Sequence, residues 1–260
     1  PNFRTFHLLI FLSFRIFFEY SSSISADERC VYIPSTFIFL RAHIFSISSA
    51  VSLELLHTAS LIHDDVVDDA LERRSQASVK ALWNNKIAIL SGDYYLAKVL
   101  DIISSIPYPS IIKSVGSLGA SLASGEIQQL SHSRDFSATE DVYYQIIKNK
   151  TASLFANCTY AGAISSGADA SLAEKLRLFG EYLGIAFQIK DDILDVVKTT
   201  EELGKTAGKD EKSEKSTYVT LFGLDKAKEK LNSLIAICYD IISFMDVESD
   251  VYREILEKLG

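Results

Sequence analysis

The chain has 260 residues, 48% of them hydrophobic, which is enough apolar material for one large buried core or two small ones. A net charge of −8 and a pI near 5.2 exclude nucleic acid as the main partner, because a phosphate backbone requires a basic face. A phosphorylated small molecule stays open, since a bound cation reverses the local sign. The cysteines Cys30, Cys158 and Cys238 are far apart and show no metal-ligand spacing, so they read as core residues of a reducing compartment.

Residues 1–50 form a divergent N-terminal segment. The apolar run Leu8–Phe18 is interrupted by Arg15. It falls short of the roughly 20 apolar residues that a bilayer requires, so no integral membrane span is expected. Arg4, this run and the serines Ser21–Ser23 fit a targeting segment, and a core helix followed by a loop fits them equally. The expected location is cytoplasmic, or an organelle if the segment directs the chain there.

From Val51 the pattern is helical, and 51–260 reads as one all-α domain. All four prolines lie at or before Pro109, so nothing interrupts long helices beyond it. Leu55, Ala59, Ile62 and Val66 recur at spacings of three and four, making one apolar stripe. On this helix Asp64 and Asp68 are a turn apart on one face, with Asp65 beside them. Asp191, Asp192 and Asp195 repeat the arrangement in a second helix with apolar positions Leu183, Phe187, Ile193 and Leu194. Like charges at this spacing cost a helix roughly a few tenths of a kcal/mol each. A divalent cation removes that cost, and Mg²⁺ characteristically takes one or two carboxylates together with substrate phosphates. One such cluster is an ordinary solvated helix end. Two with the same D-D-x-x-D spacing point to Mg²⁺ and a diphosphate. Cationic residues follow each cluster: Arg73 and Arg74 after the first, Lys205, Lys209, Lys212 and Lys215 after the second. Such side chains suit phosphate oxygens, although Lys212 also reads as a surface charge.

The stretches "HTASLIHDDVVDDALERR", "WNNKIAILSGDYYLA", "GEIQQL", "KTASLF", "FQIKDDILD" and "GKTAGKD…KSTY" resemble the trans-prenyl diphosphate synthases of the polyprenyl synthetase family, from about Val51 to Gly260. The resemblance implies an isoprenoid-synthase-type helical bundle around a deep central cavity, with the two aspartate motifs facing each other, usually in a homodimer. It implies condensation of an allylic diphosphate with isopentenyl diphosphate, with three Mg²⁺ per active site and release of pyrophosphate. Asp64, Asp68, Asp191 and Asp195 would hold the metal, assisted by Asp65 and Asp192. Arg73, Lys150, Thr151, Gln188, Lys205 and Lys215 would contact the allylic diphosphate, and His57 and Arg74 the isopentenyl diphosphate. His63, beside the first motif, reads as a hydrogen-bonded packing residue rather than a base. By the same resemblance the small Ala59 and Ser60 leave the cavity floor open for a product of C20 or longer, whereas Tyr94 or Tyr95 would close it.

The chain departs from the pattern at its beginning. No glycine precedes Gly92 and no lysine precedes Lys80, so the family's G-G-K-x-x-R-P segment is missing, and only Arg29 or Arg41 stands near its place. Ser75 and Glu214 replace two further glycines. Losing two charge-assisted contacts at about 1.5–3 kcal/mol each weakens the isopentenyl diphosphate site severely. Two alternatives to an active synthase therefore stand beside it. One is a non-catalytic or regulatory subunit of a heteromeric synthase. The other is a class I terpene cyclase or diphosphate hydrolase.

Overall fold

The computed structural model describes residues 35–73, 76–132, 139–202, 216–243, 245 and 250–260. Arg29, Arg74, Ser75, Lys205, Lys209, Lys212, Glu214 and Lys215 lie outside the described residues, as do the run Leu8–Phe18 and the side chain of Arg41.

The described chain is all-α apart from one small hairpin. In order it forms α1 (Ser35–Val67), strands β1 (Glu72–Arg73) and β2 (Gln76–Ala77), α2 (Val79–Leu82), α3 (Asn85–Ile103), α4 (Pro109–His132) and α5 (Glu140–Ile147). A π-helical turn (Lys148–Ala152) leads into α6 (Ser153–Ser165), followed by α7 (Ala170–Glu202), α8 (Tyr218–Phe222), α9 (Leu224–Ser243) and α10 (Asp250–Leu259). The described residues group into two compact units. The first holds 35–119 and Ala161–Asp169, the second Ala120–Tyr160 and Ala170–Gly260.

In the first unit α1 packs along α3. The buried stripe of α1 is Leu53, Leu56, Ala59 and Ile62, so it shares Ala59 and Ile62 with the sequence expectation but replaces Leu55 and Val66. Apolar residues lie on several faces of this helix, so periodicity alone does not choose which face turns inward. On α3 the buried positions are Ala88, Val99 and Ile103. Gly92 lies against the ring of His63, and a Cβ there would overlap it, which allows the two helices to come this close. Within α1, the stretch Ile44–Val67 is long and apolar enough to cross a membrane. The same stretch supplies the buried stripe, as a core helix does.

α1 ends in the aspartates. Asp69 takes the left-handed conformation (φ 53°), which Asp tolerates better than most residues, and it pairs with the buried Lys80 ammonium. Ser78 closes the turn twice. Its hydroxyl donates to the Ala70 carbonyl at 2.8 Å and accepts from Ala81 N–H at 3.2 Å as the N-cap of α2.

In the second unit α7 packs against α9 and the π-helical turn. Its buried face is Phe179, Leu183, Ala186, Ile189 and Ile193, at helical spacings of three and four. Phe179 meets Tyr252 of α10 edge-on with ring centroids 5.1 Å apart, and Phe187 lies 5.3 Å from Phe155 of α6. This apolar face leaves the polar side of α7 to carry the second aspartate motif.

Two stability predictions follow from this packing. Phe179→Ala should lower the unfolding free energy by about 3–5 kcal/mol, read by denaturant titration. Asp69→Ala strands the buried Lys80 donor and should cost about 1–3 kcal/mol, with Asp69→Asn recovering most of it because Asn keeps both the conformation and an acceptor.

Candidate active site

The second unit contains a cavity of about 290 Å³. Its wall brings together Asp191, Asp192 and Asp195 with Lys150, Thr151 and Gln188, all anticipated from the sequence, and adds Gln129, His132, Tyr143, Ser216 and Thr217. Ile146, Ile147 and Leu221 supply apolar surface beside these polar groups.

The three aspartates of the motif have different surroundings. Asp191 is half-buried and Asp195 exposed, both on the cavity side of α7. Asp192 is 5% exposed. Its Oδ2 accepts from the Tyr143 hydroxyl at 2.8 Å and from the Tyr218 backbone N–H at 2.7 Å, and its Oδ1 accepts from Gln188 Nε2 at 3.0 Å. The Thr151 hydroxyl donates in turn to Gln188 Oε1 at 3.0 Å. Burial raises the Asp192 pKa above the ordinary carboxylate value, while these three donors pull the other way. Burial, with the Asp192 charge second, also holds the Tyr143 phenol far above its usual range, so it stays a donor. Around the corner Glu140 accepts from Tyr218 at 2.7 Å and Tyr144 at 3.0 Å. The Tyr218 hydrogen bond is the first cause that lowers the Glu140 pKa, and desolvation lifts the Tyr218 phenol to about 12.

Lys150 and Thr151 are delivered by the π-helical turn, whose extra residue per turn redirects side chains relative to an α-helix. Two glycines make room for it. A Cβ on Gly125 of α4 would lie 2.6 Å from the Lys150 nitrogen and 2.9 Å from its Cα. A Cβ on Gly184 of α7 would lie 2.6 Å from the Ala152 Cα. Lys150 is paired with Glu126, whose Oε1 is buried without a hydrogen-bond partner among the described residues.

The first motif lies in the first unit and shows the same division. Asp64 is half-buried and Asp68 exposed, whereas Asp65 is 4% exposed and accepts from Arg73 Nε at 2.7 Å. Arg73 stands on β1, and the hairpin after the helix brings it back to that carboxylate. His63 Nε2 lies 3.2 Å from the Ile89 carbonyl and 3.5 Å from Asp93 Oδ1, partners that suit a packing residue. His57 is half-buried. Ala59 is fully buried, the Ser60 hydroxyl donates to the His57 carbonyl at 2.8 Å, Tyr95 is half-buried and Tyr94 is 61% exposed.

Among the described residues no three acidic, histidine or cysteine side chains form a ready-made metal cage. The donor set nevertheless suits Mg²⁺. Asp191 and Asp195 offer hard oxygens one turn apart on a cavity wall, and this ion takes its remaining ligands from water and phosphate. Sequence reasoning missed Tyr143, His132 and Thr217. Tyr143 lies seven residues before Lys150, about two helical turns, which is the one local hint that it shares Lys150's side of the chain.

Substituting Gly125 tests the positioning of the turn. Gly125→Ala should cost about 1–3 kcal/mol of stability by denaturant titration, because backbone rather than a movable side chain blocks the new methyl group.

The polyprenyl synthetase family profile matches residues 39–255. The heptaprenyl diphosphate synthase component 2 of Bacillus subtilis (strain 168) is 42% identical over 175 residues, covering 67% of this chain and 50% of that protein. The all-trans-nonaprenyl-diphosphate synthase (geranyl-diphosphate specific) of Rhodobacter capsulatus is 37% identical over 186 residues, 72% of this chain and 57% of that protein. The chain thus spans about half the length of the curated relatives it matches. A solved decaprenyl diphosphate synthase from Rhodobacter capsulatus has a TM-score of 0.73 at 24% identity, with 100% of each chain covered. A polyprenyl synthase from Caulobacter crescentus CB15, complexed with calcium and isoprenyl diphosphate, has a TM-score of 0.68 at 25% identity, over 97% of this chain and 95% of that one. With the profile running from α1 into α10 and a fold shared with these structures, the chain belongs to the polyprenyl synthetase family.

Proposed function

We propose that the chain is a Mg²⁺-dependent prenyltransferase that joins an allylic diphosphate to isopentenyl diphosphate, releases pyrophosphate and makes a trans-prenyl diphosphate of C20 or longer. The observation that carries this reading is the convergence of Asp191 and Asp195 with Lys150, Thr151 and Gln188 in one cavity. Relatives named for heptaprenyl and nonaprenyl products support the long product, as does the small, buried Ala59. The Caulobacter neighbour, complexed with calcium and isoprenyl diphosphate, supports the choice of ligand and of an oxygen-seeking cation.

Mg²⁺, when bound, neutralises charge on a departing diphosphate. Asp191 and Asp195 would hold it on this wall, and Asp64 and Asp68 in the first unit, with three ions in all. Lys150 gives the diphosphate a point charge, while Gln188, held by the Thr151 hydroxyl, orients it through its second amide N–H. Ile146, Ile147 and Leu221 keep water from a prenyl group that becomes cationic as its C–O bond weakens. Arg73, Lys205 and Lys215 complete the allylic contacts, and His57 and Arg74 receive the isopentenyl diphosphate.

A second polypeptide belongs to this reading. Leu82, Trp83, Leu90 and Tyr94, on or beside α3, are each more than 60% exposed, a costly apolar surface to leave in water. A second copy would cover it in a homodimer. The Bacillus relative, a synthase component by name, favours a distinct partner component instead.

Turnover of labelled isopentenyl diphosphate with geranyl, farnesyl or geranylgeranyl diphosphate and Mg²⁺ tests the proposal. Label should enter products of C20 or longer, and Asp191→Asn or Asp195→Asn should each reduce the rate by about 10²-fold or more. Folded protein that binds the allylic diphosphate but incorporates no label, alone or with a partner component, would overturn the coupling reaction and favour a cyclase.

A further inference from the structure

We propose that Asp192 serves as a fixed anchor rather than a cation ligand, and that Tyr143 is the positioning residue that holds it; this rests on the diphosphate reading of the cavity. What fixes Asp192 is the number of bonds that a carboxylate accepts. Ionised, it is acceptor-only, with about four lone-pair sites. Three of these are filled by Tyr143, Tyr218 and Gln188 at 2.7–3.0 Å, and the group is 5% exposed. Asp192 shares the cavity wall with Asp191 and Asp195, but with one lone pair left and so little exposure it is the poorest placed of the three to take a strongly hydrated Mg²⁺.

What Asp192 does instead is decide which way Gln188 points. An acceptor-only group admits the amide nitrogen and refuses the amide oxygen. Gln188 Oε1 must therefore face Thr151, whose hydroxyl becomes the donor between them at 3.0 Å. The pair thus has one hydrogen-bond polarity, imposed by a carboxylate enclosed in the cavity wall: Thr151 gives its only hydrogen to Gln188, and Gln188 keeps its second amide N–H for the diphosphate. Tyr143 fixes the carboxylate that imposes it. Its phenol is 4% exposed, comes from α5 and points at Asp192 Oδ2 at 2.8 Å.

The first unit repeats the logic independently. Asp65, also the second aspartate of its motif, is 4% exposed and holds Arg73 through Nε at 2.7 Å. In each motif the enclosed aspartate grips a donor side chain, and its two neighbours lie nearer to solvent.

The test is a calorimetric titration of the full chain with inorganic pyrophosphate in excess Mg²⁺, accompanied by thermal unfolding. Tyr143→Phe should weaken binding by about tenfold, while Tyr144→Phe, losing a hydroxyl bonded to Glu140, stays within about twofold of wild type. In turnover the Tyr143→Phe loss should fall on the KM for the allylic diphosphate rather than on kcat. If Tyr143→Phe does not fold, Gln188→Met and Asp192→Asn carry the test: their losses should be non-additive, and additive losses overturn the proposal. Wild type that binds no Mg²⁺–pyrophosphate overturns the diphosphate reading and this proposal with it. Wild type that binds, with Tyr143→Phe at unchanged affinity, overturns the anchor alone.

Discussion

Negative charge set into apolar helices has to be answered by something, and most of what is distinctive here follows from how. A carboxylate loses its hydration when an adjacent helix covers it, and protein donors must then replace the water. Asp192 receives a phenol, a backbone N–H and an amide; Asp65 receives a guanidinium. The donors fix further positions in their turn. Tyr218 is tied by its backbone to Asp192 and by its hydroxyl to Glu140, so the start of α8 is pinned at two points. Arg73 is held by the helix that precedes its own hairpin. Satisfying one inward carboxylate therefore orders the polar surroundings of the two outward ones.

The sequence made some of this legible and left the rest dark for identifiable reasons. The paired carboxylates of each motif are local: spacing on a helix places them on one face, and both motifs do lie on helices, α1 and α7. Lys150, Thr151 and Gln188 were found through resemblance, and the cavity gathers them with Asp191 and Asp195. Tyr143 and Tyr218 stayed hidden because their bonds to Asp192 span 49 and 26 residues, and no periodic pattern encodes a hydrogen bond between different helices. The inward face of α1 departs from the periodic stripe for another reason: its apolar residues occupy more than one face, and only contact with α3 selects among them.

The departures from the family pattern fall unevenly on the proposed chemistry. Ionising an allylic diphosphate calls for carboxylates to hold metal and for cations on the leaving group, and the wall around Asp191, Asp195 and Lys150 supplies both kinds. Binding isopentenyl diphosphate calls for its own basic contacts, and there the G-G-K-x-x-R-P segment is missing from the sequence. On the proposed reading, the allylic side is thus more strongly provided for than the isopentenyl side.

The π-helical turn has an evolutionary consequence. A π-turn is an α-helix carrying one inserted residue, and each residue of an α-helix advances the chain by about 100°. Deleting a single residue between Lys148 and Ala152 would let α5 run on into α6 as one regular helix, turned by that angle beyond the deletion. Either the residues before it or those after it would then lose their present facing, so Tyr143 and Thr151 could not both address α7. The reading frame of side chains along this stretch is thus set by length as much as by residue identity, and lineages that keep the cavity should tolerate substitutions here far better than deletions.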